Sequence, residues 1–165
     1  MKTILLVLLA SAISATSVCS AEARCKDFPS QVRFVPGDGD VLDLHTHLVW
    51  MRCSLGMRWT HAGCVGDMET MSLGQAKSAA DAVGHGWRVP TADELFSLVD
   101  HSCGAPAIDT TAFPDIRPNS KALPYWTTTP LGIANLTVYI DFSEGFYDGH
   151  SRGFPLAVRL VRSAR

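Results

Sequence analysis

The sequence is poor in several things that would have pointed to a function. Charged residues make up only 18% of the chain, with 14 Lys and Arg against 16 Asp and Glu. The net charge of −2 excludes the basic excess that nucleic-acid binders carry. No apolar run approaches the ~20 residues a membrane-spanning helix needs. No two cysteines are spaced Cys-x-x-Cys, which argues against a structural zinc site. There is no internal repeat, low-complexity stretch or Pro/Gly/Ser-rich linker to split the chain. No Asp, Glu or His follows Ser151, so no acid and base stand downstream of a serine nucleophile there.

What is present begins with an export signal. Met1 and Lys2 give a short basic start, Ile4 to Ala10 is apolar, and Ser11 to Ala21 is small and mildly polar. That order predicts a signal peptide over 1–21, cleaved after Ala21. Losing Lys2 moves the net charge from −2 to −3. The remaining chain is one domain's worth, long enough to bury roughly 68–70% of its unfolded surface. Cys19 is preceded by Val18, where a lipid-anchor signal wants Gly, Ala or Ser, so no anchor is expected. An exported protein of the periplasm, cell surface or extracellular space follows.

Cys25, Cys53, Cys64 and Cys103 then form an even set in an oxidising compartment, and two disulfides are expected. Of the three pairings, Cys53–Cys64 with Cys25–Cys103 is the economical one. Loop closure predicts about 3 kcal/mol for the short bridge and about 4–5 kcal/mol for the long one.

Local patterns predict strands at Val41 to Leu44, Leu48 to Met51, Tyr125 to Thr128, Thr137 to Phe142 and Leu156 to Val161. In the last, Leu156, Val158 and Leu160 alternate with Ala157 and Arg159. Two capping boxes, Ser72-x-x-Gln75 and Thr91-x-x-Glu94, predict helices over 72–83 and 91–100. Residues 52–66, 101–124 and 143–155 read as loops. The class is α+β: two helices on a twisted antiparallel sheet, with long structured loops.

Several motifs invite a chemical reading. Gly149-His150-Ser151-Arg152-Gly153 fits G-x-S-x-G, but Gly153-Phe154-Pro155 blocks the helix that a nucleophile elbow requires. It is read as a turn. His45 and His47 would face the same way on a strand, yet a third metal ligand is not evident. Asp38, Asp40 and Asp43 make a loose acidic loop that lacks the rest of a calcium site. A Gly-Asp hairpin turn is the better reading. Trp50, Trp87 and Trp126 sit among apolar neighbours and are expected as core anchors with the indole N–H bonded to backbone. Arg117, Lys121, Arg152 and Arg159 are cations expected on the surface. No catalytic set and no cofactor or metal site is expected.

The order of motifs carries a resemblance. Leu48-Val49-Trp50-Met51-Arg52-Cys53 is followed by Gly56, Trp59 and Cys64. Then come Gly86-Trp87-Arg88-Val89-Pro90-Thr91-Ala92-Asp93-Glu94-Leu95, Val99-Asp100 and Pro106-Ala107-Ile108-Asp109. Phe113-Pro114, Tyr125-Trp126-Thr127-Thr128, Asp141-Phe142-Ser143-Glu144-Gly145 and Val158-Arg159-Leu160-Val161-Arg162 complete the series. Together they resemble the Lcl C-terminal domain family, bacterial secreted and surface domains named after a collagen-like adhesin of Legionella. The resemblance runs from about Arg33 to Arg162. It divides the chain into the signal (1–21), an N-terminal extension (22–32) and the domain (33–165). Departures are modest: His47 where the family has Gly, Val89 for Leu, and Thr127-Thr128 for a Ser pair.

The resemblance implies a C-type-lectin-like or sulfatase-modifying-factor-like fold. One family member is an adhesin for sulfated polysaccharides, and no catalytic set is general to the family. The expectation is a non-enzymatic binding module for an anionic polysaccharide or a surface protein. The alternatives are an interaction subunit or inhibitor in an envelope assembly, or an enzyme related to the sulfatase-modifying fold. Function tends to collect on loops. The candidate ligand-binding residues there are Trp59, Arg117, Lys121, Tyr147 and Arg152.

Overall fold

The computed structural model describes Cys25, residues 33–117 and residues 124–164. The predicted signal peptide, most of the N-terminal extension and Lys121 lie outside the described residues.

The chain folds as α+β, and the elements of the described residues include the helices Leu73–Val83 and Ala92–Phe96 and antiparallel sheets. β1 (Phe34–Pro36), β2 (Asp40–Asp43) and β3 (Leu48–Met51) form a meander, and β9 (Val161–Ser163) closes it in the order β1-β2-β3-β9. β4 (Arg58–Thr60) and β5 (Gly63–Val65) make a small hairpin. β6 (Tyr125–Pro130), β7 (Leu136–Asp141) and β8 (Phe146–Ser151) form a second meander. Among the described residues the single expected sheet is thus three separate ones.

Both helices start where the capping boxes place them. α1 (Leu73–Val83) follows Ser72, whose hydroxyl accepts from the Gln75 N–H while the Gln75 side chain returns to the Ser72 N–H. α2 (Ala92–Phe96) follows Thr91, with the same reciprocal bonds to Glu94. These satisfy N–H groups the helix itself leaves unpaired. α2 is shorter than expected: Leu98 turns back on Leu95 instead of extending the helix, and a 3₁₀ turn (His101–Cys103) follows.

The core has two parts. Phe34, Trp50, Leu95, Phe113, Tyr125 and Phe142 belong to the larger cluster. The smaller one packs Leu73, Ala76 and Ala80 of α1 against Trp126, Val158 and Leu160. Trp50 and Trp126 are fully buried as expected. The Trp126 indole N–H donates to the Met71 carbonyl at 2.8 Å, whereas that of Trp50 has no partner among the described residues. Trp50 sits among apolar side chains, where dispersion rather than a polar contact holds the ring.

Three expectations change. Residues 143–155 are not all loop, because 146–151 form β8 against β7. Its Asp, Gly, His and Ser content has low strand propensity, and tertiary pairing overrides it. Gly145 makes the reversal into β8 with φ 76°, and a Cβ there would stand 2.7–2.9 Å from His101, Val99 and Ala107 side chains. Residues 52–66 hold the β4–β5 hairpin. Residues 156–161 do not alternate between core and solvent, since all six are buried. Leu156 and Ala157 make isolated bridges, and regular pairing begins only at Val161.

The expected disulfides are the observed ones. Cys53–Cys64 joins the end of β3 to the hairpin, and Cys25–Cys103 joins the N-terminal region to the 3₁₀ turn.

Candidate binding cleft

A cleft of about 330 Å³ opens beside the β1–β2 turn. Asp38, Gly39, Asp40, Cys53, Ser54, Trp59 and Trp87 are among its lining residues. Its parts come from four stretches of chain. Gly39 has φ 85°, and a Cβ there would lie 3.3 Å from the Trp59 Cβ, so the turn packs closely on the indole. The Arg52 N–H donates to the Gly39 carbonyl at 3.0 Å, holding the turn against the end of β3.

Trp59 is placed by the hairpin. It pairs directly opposite Cys64, and Cys64 is bridged to Cys53 of the cleft lining. The disulfide therefore fixes the indole relative to the β1–β2 turn. The Arg52 guanidinium lies 3.9 Å from the Trp59 ring centroid and donates to the Thr111 and Ala112 carbonyls. Burial lowers the Arg52 pKa.

Trp87 is placed by the chain leaving α1. Arg88 exchanges backbone bonds with Val161, at 2.9 and 3.0 Å, which fastens this segment to β9. Arg162 lies over the Trp87 ring at 4.9 Å and pairs with Asp40 at 3.0 Å. Asp38 is exposed and has no ion-pair partner among the described residues. Sequence reasoning placed Trp87 in the core, and it packs half-buried against the smaller cluster while also lining the cleft; Asp38 and Asp40 were read as a plain turn. Asp38 and Asp40 reach Trp59 through the β2–β3 hairpin and the Cys53–Cys64 bridge, and Trp87 joins them through the pairing of its segment with β9.

Ser54 of the cleft lining belongs to a buried polar network. Arg159 is fully buried, not at the surface, and its Nη2 lies 2.7 Å from Asp115 Oδ1. It also donates to the Met51 carbonyl at 2.7 Å and to the Ser54 hydroxyl at 3.1 Å. Ser54 bonds to Asp115, and its hydroxyl lies 2.9 Å from the Tyr125 hydroxyl. Burial alone would raise the Asp115 pKa, but Arg159 and Ser54 outweigh it and hold the carboxyl below its usual range. Burial pushes the Tyr125 hydroxyl up to about 12. A second buried pair, Arg33 with Asp43, makes two bonds of 3.0 and 2.7 Å and ties β2 to the residue preceding β1.

The other candidates lie apart. Tyr147 is 62% exposed on β8 and meets Phe96 of α2 edge to face at 5.9 Å, lining a separate groove of about 220 Å³. Arg152 is exposed and donates to the Thr137 hydroxyl at 3.2 Å. Arg117 is exposed. Trp59 and Tyr147 thus line different cavities.

His45 and His47 lie in the β2–β3 turn instead of on a strand, and His47 has φ 57°. Asp43 accepts from the His45 N–H and the Thr46 hydroxyl, an arrangement that builds the turn. Ser151 ends β8, and a turn at Arg152 and Gly153 follows where an elbow needs a helix. Among the described residues, the one group with metal-ligand spacing is Cys25, Asp100 and Cys103, whose two sulfurs are joined in a disulfide.

Residues 39–162 match the family model described as the Lcl C-terminal domain. No curated protein matches the chain. The match covers both helices, the strands from β2 onward except the last residue of β9, and the cleft lining except Asp38, and the chain belongs to the Lcl C-terminal domain family.

Proposed function

We propose that this protein is an exported, non-enzymatic binding module that recognises a polysaccharide through the Trp59–Trp87 cleft. The observation that carries this reading is two half-buried indoles and two carboxylates lining one concave site. An indole offers an apolar plane to the C–H face of a sugar ring, and a carboxylate accepts from its hydroxyls. The C-type-lectin-like architecture implied by the family, and the adhesion role of one member, support the same reading. Two disulfides suit an oxidising, exported setting. No helix among the described residues is long and apolar enough to cross a membrane.

The cationic part of the expectation has a different location. Asp38 and Asp40 are the charged residues of the cleft lining, while Arg117 and Arg152 are exposed elsewhere. The guanidiniums of Arg52 and Arg162 lie against the Trp59 and Trp87 rings, at 3.9 and 4.9 Å. A second reading, an interaction subunit or inhibitor, is favoured by the exposed Phe96–Tyr147 pair and its apolar groove.

Screening the exported protein and its Trp59→Ala variant on a glycan array tests the proposal. Glycan binding that Trp59→Ala abolishes is the expected result. No glycan binding, or binding unchanged by Trp59→Ala, overturns it.

A further inference from the structure

The strand β8 is an edge of its sheet, paired with β7 and with no other strand among the described residues. In an antiparallel ladder, successive residues turn their backbone groups alternately toward the neighbour and away from it. The Arg152 N–H donates to the Asn135 carbonyl, one register step beyond the Leu136–Ser151 pair. Counting back in twos, His150, Asp148 and Phe146 turn their backbone groups toward β7. Tyr147, Gly149 and Ser151 turn theirs outward.

Two of these three outward N–H groups are already covered. That of Gly149 donates to Asp148 Oδ1 at 2.7 Å, and that of Ser151 donates to His150 Nδ1 at 2.9 Å. Each side chain hides the amide that follows it, and a row of bare amides is what makes an edge strand adhesive. The two covers differ in kind. The carboxylate accepts whenever it is ionised, whereas the imidazole accepts only while it is neutral. Protonation puts a hydrogen on both ring nitrogens and releases the Ser151 N–H.

We propose that β8 is the docking edge for a second copy of this chain, paired antiparallel with its own β8 about Gly149 and opened by protonation of His150. The strand is self-complementary about that glycine. Gly149 faces Gly149, Tyr147 faces Ser151, and the outward backbone groups of both copies meet. Asp148 of each copy then stands directly opposite the partner's His150, an opposite-charge pair of the kind that stabilises a sheet. Centring on Ser151 would set His150 against Arg152, and centring on Tyr147 would leave His150 beyond the end of the partner strand.

The groups facing His150 carry both signs. Asp148 of β8 and Tyr139 and Asp141 of β7 share its face of the sheet, the Tyr139 ring lying 6.5 Å away. Phe154, from the turn that follows, stacks on the imidazole at 3.8 Å. Arg152 donates to the Thr137 hydroxyl, and Thr137 is paired across from His150. Arg152 opposes a charge on His150, and the two aspartates favour it.

Sedimentation equilibrium of the full exported protein over a concentration series tests the proposal, at pH about 8 and about 5, between which histidines change charge. Wild type, Asp148→Asn and His150→Ala are compared, with a melting curve for each to confirm folding. Amide hydrogen exchange of the wild type under both conditions locates the contact and needs no variant. Dimerisation about tenfold tighter at pH about 5 is expected, since two amides are released and two Asp148–His150 pairs form per dimer. The Gly149 and Ser151 amides should exchange more slowly in that dimer. Asp148→Asn should weaken it about fivefold, and His150→Ala should associate equally at both pH values. No dimer at pH about 5, a wild-type dimer equally tight at both, or an acid dimer that Asp148→Asn leaves unaltered overturns the proposal. So does a pH dependence that survives in His150→Ala. An acid dimer with unprotected Gly149 and Ser151 amides places the contact on another surface and overturns it as well.

Discussion

Arg159 and Asp115 face each other with neither side chain exposed, Nη2 lying 2.7 Å from Oδ1. The pair joins the segment before β9 to the loop after the 3₁₀ turn, and through Ser54 it reaches the cleft lining. Removing one partner leaves the other charged and buried. Arg159→Met is expected to cost about 3–5 kcal/mol of stability, and adding Asp115→Asn should restore part of it. Urea unfolding of the two single variants and the double variant measures this. Additive losses would show that the pair is not coupled.

Stability should also fall in acid. Burial pushes the Asp43 and Asp115 carboxyls up, but Arg33 and Arg159 with further hydrogen bonds hold both below the usual range. The Arg88 bond holds Glu94 low as well. Groups depressed in the folded state stabilise it above their unfolded pKa, and the benefit is lost as pH falls through the folded values. Stability should be nearly level from pH about 7 to about 5 and drop below about 4, the ordinary carboxylate range. Denaturant unfolding between pH 7 and pH 2 checks it, and Asp115→Asn should flatten the drop.

The Cys53–Cys64 bridge fixes Trp59 through its cross-strand neighbour Cys64. Replacing both cysteines with serine is expected to cost about 2–4 kcal/mol. It should also move the Trp59 fluorescence toward that of solvent-exposed indole. Peptide mapping without reduction should recover both bridges, Cys53–Cys64 and Cys25–Cys103. Free thiols at Cys53 and Cys64 in the exported protein would contradict the assignment.

Ser151 is not expected to act as a nucleophile. Its N–H is accepted by His150 Nδ1 at 2.9 Å, and the chain beyond it holds no acid or histidine. A fluorophosphonate probe should leave Ser151 unlabelled. Labelling that Ser151→Ala removes would establish a reactive serine.

Much of the fold was legible where one local rule suffices. Ser72 with Gln75 and Thr91 with Glu94 carry their own hydrogen-bonding instructions, and both helices begin there. The β2 and β3 strands and both disulfides followed from pattern and parity. β8 was not legible, because Asp148, Gly149, His150 and Ser151 favour strand only when β7 supplies the ladder. Arg159 was misplaced for a related reason: a lone arginine in an alternating run reads as solvent-facing unless its buried carboxylate, distant in sequence, is known. Of the cleft lining, Trp59 was among the candidate residues read from the sequence. Trp87, Asp38 and Asp40 were not, since nothing in their own neighbourhoods says that they share a cavity.

The central claim is that the Trp59–Trp87 cleft is the binding site. Its most direct test is calorimetric titration of the exported protein and the Trp59→Ala, Trp87→Ala and Tyr147→Ala variants with the glycan that the wild type binds tightest. The account predicts that each tryptophan variant loses more than ~1 kcal/mol of binding free energy and that Tyr147→Ala loses little, with each variant shown by its melting curve to be folded at the temperature of the titration. Full affinity in both tryptophan variants, with the loss appearing in Tyr147→Ala instead, would move the site to the Phe96–Tyr147 groove and contradict the account.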